Sequence, residues 1–502
     1  MDALPHILNG FTVALQPINL WYTFIGVLMG TVIGVLPGIG PSAGIALLIP
    51  ITYGMNPTSA LIMLAGIYYG AKYGGSTTAI LIRTPGEAAS VMTSIDGYEM
   101  AKNGRAGAAL AVSAIGSFIA GTIGVVGLTL FAVPLTSIAL KFGPAEYFTL
   151  MLFAMTAVST LTGASPAKGV LSTVLGLMIA TIGIDLQSGQ ARYTMGIPEF
   201  QDGVGFVVVV VGLFAMAEVF RGLEDIYKGT SAAAMKITGQ LWLTREEWRR
   251  SGGPIWRGGI IGFVIGVLPG AGGTIAAIMS YTTEKRLSKN PQQFGKGAIE
   301  GVAGPEAANN SDTAGALVPL LTLGIPGGGA TAVMLGAFIM YGVQPGPLLF
   351  QTRPDLVWGL IDSMYIGNVM LLILNLPLIG LFVRLLYIPT GILYPLIVAI
   401  SAIGAYAING STVDLWLILF FGVIGYVFDK VDIPVAPLVL SLVLGGMMEQ
   451  SFRQAMTISG GDLKVFYGST ITVTLLVMAV ISVLLPFIIP RLRALGSKGD
   501  ES

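Results

Sequence analysis

Apolar stretches of about 20 residues, the length an α-helix needs to cross a bilayer core, alternate with short polar breaks along almost the whole chain. Eleven crossings are expected, near 57–84, 105–133, 145–163, 166–184, 204–227, 298–325, 357–387, 389–407, 412–428, 433–449 and 467–490. Two further apolar stretches break in the middle. Residues 20–53 turn at Pro37-Gly38-Ile39-Gly40-Pro41-Ser42 and residues 257–283 at Pro269-Gly270-Ala271-Gly272-Gly273-Thr274. Each reads as a helical hairpin, either re-entrant or fully crossing.

The two hairpins are copies. VIGVLPG at Val32–Gly38 returns unchanged at Val264–Gly270, and Gly26, Gly30, Gly34, Pro37 and Gly40 map without gaps onto Gly258, Gly262, Gly266, Pro269 and Gly272, 232 positions on. A weaker match follows 241 positions apart, laying Ala71–Gly86 over Asp312–Gly327, both ending in Pro-Gly (Pro85-Gly86 and Pro326-Gly327). Internal repeats of this kind mark transporter folds whose halves face each other across a shared site.

Charge orients the copies. Arg245, Arg249, Arg250 and Arg257 precede the second hairpin and Lys285, Arg286, Lys289 and Lys296 follow it, whereas Met1–Ala71 holds no Lys or Arg. Basic loops stay in the cytoplasm, so the second hairpin opens inward and the first outward. With five crossings between them the repeats are inverted, and Arg491, Arg493 and Lys498 place the C-terminus inside. The expected organisation is repeat 1 at 1–227, a cytoplasmic linker at 228–256 with the amphipathic segment WLTREEWRR, repeat 2 at 257–449, and a C-terminal helix and tail at 450–502. The first residues lack a basic n-region and a cleavage site, so they read as retained.

Composition agrees with an all-α polytopic membrane protein. The 502 residues are 54% hydrophobic and only 10% charged, with a mean hydropathy of +0.81. Zero net charge gives no reason to expect a nucleic-acid partner. The absence of cysteine excludes disulfides and thiolate chemistry. No His/Glu zinc pattern, Walker loop or nucleophile elbow occurs, so no enzyme activity, cofactor or metal is expected.

Backbone chemistry supplies the candidate site. A Pro-Gly break at membrane depth is tolerable only where protein buries it or it lines an aqueous cavity, and the helix that restarts there offers free N–H groups to an anion. The substrate-binding candidates are Pro37, Gly38, Gly40 and Ser42 at the first tip, Gly270, Gly272 and Thr274 at the second, and Pro85, Gly86, Pro326, Gly327 and Gly328 at the two later breaks. Lys72, Ser76, Thr77, Thr78, Asn309 and Asn310 join them as polar side chains nearby. Glycines at four-residue spacing are equally what close helix packing requires. Ionisable residues inside crossings are costly, so Glu306 and Asp312 are candidates for holding a coupling Na⁺ or H⁺. His6 near the terminus reads as incidental.

GVLPGIGPSAGIALLIP, YYGAKYGGSTTAILIRTPGE, DGYEMAKNGRAGAAL, GPEAANNSDTAGALVPLLTLGIPGGGATAVML and YGVQPGPLLF, in this order over nearly the whole chain, resemble the large membrane subunit of the bacterial tripartite tricarboxylate transporters, the TctA family. The resemblance implies a secondary transporter that imports tricarboxylates, dicarboxylates or related carboxylates through the inner membrane, with a small membrane subunit and a periplasmic solute-binding protein as partners alongside membrane lipid. A passive anion channel and a non-transporting membrane scaffold are the competing readings.

Overall fold

The computed structural model describes residues 3–36, 38–162, 165–185, 187–228, 237–388 and 390–497, so Pro37, part of the linker and Lys498 lie outside the described residues. In chain order the main helices are α1 (Ala3–Ala14), α2 (Pro17–Val35), α3 (Pro41–Leu48), α4 (Pro57–Ile82), α5 (Val91–Lys102), α6 (Ala106–Ala139), α7 (Pro144–Leu161) and α8 (Pro166–Ala180). A two-residue β-ribbon, β1 (Gly183–Ile184) and β2 (Ala191–Arg192), precedes α9 (Phe206–Lys228), which carries a π-helical segment at Val211–Met216. The chain continues through α10 (Arg245–Gly266), α11 (Gly272–Leu287), α12 (Glu300–Leu323), α13 (Gly329–Met340), α14 (Pro354–Asn375), α15 (Thr390–Asn409), α16 (Thr412–Lys430), α17 (Ala436–Ile458) and α18 (Thr470–Ser497). Local sequence sets several starts. Proline occupies the first turn of α2 and α4, where its missing N–H costs nothing. Asn56 caps α4 through Thr58 N at 2.9 Å, and Thr244 with Glu247 forms a capping box on α10.

The repeat holds residue by residue in space. α2 packs on α4, and α10 packs on α12 in the same way. A Cβ built on Gly30 would lie 2.5 Å from Ile67 O, one on Gly74 2.5 Å from Thr31 O, and one on Gly315, the counterpart of Gly74, 2.5 Å from Phe263 O. Gly262, counterpart of Gly30, meets Ala308 O. These glycines bring helix backbones together as small-residue stripes do in membranes. The breaks match too. Gly86 lies against Gly34 O and Gly75 Cα, and Gly327 against Gly266 O and Ala316 Cα. Ser90 Oγ and Thr331 Oγ1 accept from Glu87 N and Gly328 N at 3.3 and 2.9 Å, again 241 positions apart. α4 ends on Arg83 at φ 57° and α12 on Gly324 at φ 74°.

The second arm of each hairpin reaches into the other repeat: α3 packs on α13, and α11 packs on the 3₁₀ turn Ala88–Ser90. Most of both repeats, including the two hairpins, therefore shares one compact unit, Met1–Ser137 with Val207–Tyr426. The amphipathic linker segment is not a separate helix, because α10 starts at Arg245 and runs through Pro254 to Gly266. Bidentate pairs Arg250–Glu300 and Arg257–Glu284 tie it to its neighbours at 2.6–2.8 Å.

Six helices among the described residues are long and apolar enough to cross a membrane: Pro17–Val35, Ala106–Ala139, Phe206–Lys228, Pro354–Asn375, Gly391–Asn409 and Thr412–Lys430. The first of these is an arm of the hairpin expected at 20–53. α4 and α12 have crossing length but fall outside this set. Their polar side chains are buried within the protein, which shields them from lipid.

A second unit comprises Ile138–Phe206 and Val427–Ser502, in which α8 packs on α17 and α7 on both α17 and α18. Arg453 forks onto Asp185 at 3.1 and 3.0 Å and Arg192 meets Glu449 at 2.9 Å, fastening the β-ribbon. The hydrogen bonds from Arg453 hold the Asp185 carboxyl below the usual carboxylate range.

Adding a methyl group at Gly262 should reduce the yield of monodisperse protein in detergent at least severalfold. Gly252→Ala, where a Cβ meets nothing within 4 Å, should instead raise the thermal midpoint, by up to about 1 kcal/mol in helix propensity. A depressed acid stabilises above its unfolded value and loses that contribution as pH falls. Amide-exchange protection of 183–192 should accordingly be full at neutral pH, weaken below about pH 4, and already be weak at neutral pH in Arg453→Gln.

Candidate functional site

Where α4 and α12 cross, contacts run in opposite senses: Lys72 meets Asn309, while Ser76, one turn later, meets Glu306, one turn earlier. Equivalent helices thus pair antiparallel about a pseudo-two-fold, and Tyr68 and Thr313, the counterparts of Asn309 and Lys72, face each other as that symmetry requires.

Lys72 is the hub. Its ammonium donates to Asn309 Oδ1 at 2.8 Å and stands 3.5 Å from Glu87 Oε2 and 3.6 Å from Asp312 Oδ2. Asn309 closes the ring by donating from Nδ2 to Glu87 Oε1 at 2.7 Å. All four groups are nearly inaccessible to solvent. Asp312 Oδ1 has no hydrogen-bond partner. Buried ion pairs gain from mutual attraction only when the desolvated groups are also hydrogen-bonded, and here the amide supplies those bonds to Lys72 and Glu87.

Glu306 lies one turn before Asn309 on α12. It is fully buried, accepts from Ser76 Oγ, Thr93 Oγ1 and, at 3.3 Å, Ser113 Oγ, and has no basic side chain in ion-pair distance among the described residues. Asn310 turns the other way, donating to Ser117 Oγ at 2.6 Å and to Glu306 O at 3.1 Å. It belongs to the α6–α12 contact rather than to the lysine cluster.

Both hairpin tips reach this cluster. At the second, a Cβ on Gly273 would come within 2.6 Å of Lys72 Nζ, 2.8 Å of Asn309 Oδ1 and 3.0 Å of Asp312 Oδ2, so the first turn of α11 faces the ion pairs directly. Gly270 N donates to Gly327 O at 3.0 Å, and Gly272 lies beside Gly328, joining tip to break. At the first tip Gly40 faces the Glu87 side chain, and Gly38, at φ 84°, meets the Glu218 carboxylate. Gly86, Pro326 and Gly327 are buried, Pro85, Gly40, Ser42, Gly272, Thr274 and Gly328 are partly exposed, and Gly38 is exposed. Thr78 bonds back to Gly75 O at 2.9 Å, the local role open to any helical threonine, and Thr77 is buried in α4.

Several participants escaped the sequence reading. Thr93, Ser113 and Glu218 lie in segments with no break or repeat to mark them. Asp96, on α5, is fully buried and accepts from Gly295 N, Gly297 N and Ala298 N at 2.8–2.9 Å and from Tyr281 Oη at 2.9 Å, holding the entry to α12.

Residues 20–440 match the Tripartite tricarboxylate transporter TctA family. The chain is 48% identical over 501 residues to an uncharacterized 52.8 kDa protein in the TAR-I ttuC' 3'region of Agrobacterium vitis, covering 100% of this chain and 99% of that one. It is also 48% identical over 240 residues to an uncharacterized protein in the TAR-II ttuC' 3'region of the same organism, covering 48% of this chain and 98% of the relative.

Removing the hub should cost more than removing the cluster. Lys72→Met leaves Glu87 and Asp312 buried without their cation, a loss of about 3–5 kcal/mol visible as a lower thermal midpoint in detergent. Adding Asp312→Asn to Lys72→Met should recover part of it. Additive losses would show that the 3.6 Å pair contributes nothing.

Proposed function

From the TctA family of tripartite tricarboxylate transporters, to which this chain belongs, we propose that the protein is the inner-membrane permease that imports tricarboxylates, dicarboxylates or related organic anions by cation-coupled alternating access. The family is one of multi-pass membrane transporter components and not of enzymes. Its tripartite organisation makes a small membrane subunit and a periplasmic solute-binding protein the partners, and the basic C-terminal residues favour a cytoplasmic C-terminus.

One observation carries the coupling. Lys72 faces Glu87 and Asp312, and Glu306 lies one turn before Asn309 on α12, held by Ser76, so with every acid ionised the cluster and this neighbour together carry one positive and three negative charges. Such a site repels a carboxylate until protons or Na⁺ enter. A substrate carboxylate drawn to Lys72 competes with Glu87 and Asp312 and leaves them to cations, which makes anion and cation binding mutually favourable. The first turns of α3 and α11, which begin at the tips, add the backbone share of anion binding. Energetics point the same way. A dianion entering an inside-negative cell costs about 4.6 kcal/mol per 100 mV, and the potential drives import once at least three monovalent cations accompany it.

Proteoliposomes holding this chain and its small subunit should accumulate labelled citrate or succinate above equilibrium only when given a Na⁺ or proton gradient and the cognate binding protein. Equilibration without either would identify a passive anion channel. Gly273→Val, which places a side chain in the lysine cluster, should lower uptake at least tenfold while the protein still inserts. Unchanged uptake would place the substrate elsewhere.

A further inference from the structure

Asp362 stands outside the cluster, in the interior of α14, one of the helices able to cross the membrane. It is fully buried, and neither carboxylate oxygen has a hydrogen-bond partner. An ionised carboxylate in that state is far more costly than its neutral acid, and an ionisable side chain at membrane depth is a functional suspect.

Its surroundings are built closely. α1 lays Gly10 on it: a Cβ there would collide with Asp362 Oδ2 and come within 2.7 Å of the Trp358 backbone, so glycine is needed for α1 to cover the acid. His6, one turn earlier on α1, stacks on Trp358 with ring centroids 6.3 Å apart. No salt bridge reaches Asp362 among the described residues. α2, α6 and the short turns Leu349–Thr352 and Ile379–Val383 carry no charged side chain. α4 brings Lys72, which is committed to its own cluster, and Asp355 of α14 is engaged by Asn9 Nδ2 at 2.5 Å. The remaining titratable neighbours are tyrosines.

Those tyrosines form a seam toward Glu306. On α4, Tyr69, Tyr73 and Ser76 recur at the spacing of one helix face, as Asp362, Tyr365 and Asn368 do on α14. Tyr365 Oη bonds Thr129 Oγ1 at 3.0 Å. The Tyr69 hydroxyl is buried without a partner, and with Thr23 and Ser363 its residue lines a small cavity with room for about one water. Tyr73 Oη donates to Asn368 Oδ1 at 2.8 Å, and Ser76 Oγ donates to Glu306.

We propose that Asp362 binds a coupling proton and that the Tyr69–Tyr73–Ser76 face, completed by water at Tyr69, conducts it to Glu306. In each cycle Asp362 gives up its O–H proton toward the cavity lined by the next residue, Ser363, and is reprotonated from the His6 side. The route deepens the cation-coupled reading above and rests on it, whereas the protonation of Asp362 can be measured without transport.

Infrared spectra of the purified full-length protein should show the carbonyl stretch of a protonated acid free of hydrogen bonds. The band should be absent in Asp362→Asn, shifted in Asp362→Glu, and lost as pH is raised. An unaltered acid band in Asp362→Asn, or one that ignores pH, overturns the proton site. The glutamate variant decides if the amide variant does not insert. In proteoliposomes with citrate as probe, Tyr73→Phe and Asp362→Asn should each cut citrate-driven proton uptake at least tenfold, and wild-type rates in both would overturn the route. Wild-type protein that moves no citrate, succinate or proton at all would instead count against the proposed function, with the infrared result standing on its own.

Discussion

A lysine ammonium desolvated among carboxylates is the constraint around which this fold is arranged. Lys72 can remain charged at membrane depth only because Glu87, Asp312 and the Asn309 carbonyl surround it within 3.6 Å. Those partners come from two segments: Glu87 from the break after α4, and Asn309 and Asp312 from α12 of the other repeat. The glycine at 273 lets α11 come down onto the same atoms. The cluster therefore ties both repeats and the second tip into one electrostatic unit, and nothing can approach the lysine without disturbing its partners.

The backbone is two-fold, but the chemistry is not. Lys72, Glu87 and Asp312 have Thr313, Gly328 and Ala71 as their counterparts, so symmetry-related positions carry charge in one repeat and none in the other. Arg83 shows the same asymmetry at the level of the backbone. It adopts the left-handed conformation that its counterpart Gly324 adopts freely, at a cost of about 1–2 kcal/mol, and its guanidinium lies 5.6 Å from the Tyr98 ring centre. Backbone symmetry supplies two similar frames, and departures from it give one site a direction.

Much of this was legible in the sequence because the repeat is written in glycine and proline, residues whose roles are steric and hence local. Gly26, Gly30 and Gly34 announce close helix approach, and Pro85-Gly86 and Pro326-Gly327 announce breaks; the structure places each where spacing predicts. The location of Lys72, Glu306 and Asp312 in crossing-length segments marked them as well. Asn310 shows the limit, since neighbouring residues on a helix point about 100° apart, and Asn309 meets Lys72 while Asn310 meets Ser117. Thr93, Ser113 and Asp96 were invisible because their importance comes from contacts across about 190–210 positions of sequence, for which hydropathy has no signal. The joining of Arg245–Arg250 to the hairpin arm in one helix, α10, had no signal in the sequence, and Pro254 lies inside that helix.

The two unpaired acids explain each other. Glu306 receives three hydroxyl donors and no cation, while Asp362 receives nothing. Hydroxyl donors stabilise a carboxylate anion, whereas an environment without donors favours the neutral acid. The protein thus presents one buried acid held by hydroxyls beside the lysine cluster and another, away from it, held by no donor. Among the described residues neither acid has a salt bridge, and a buried acid without a fixed counter-charge is one whose protonation can follow its surroundings.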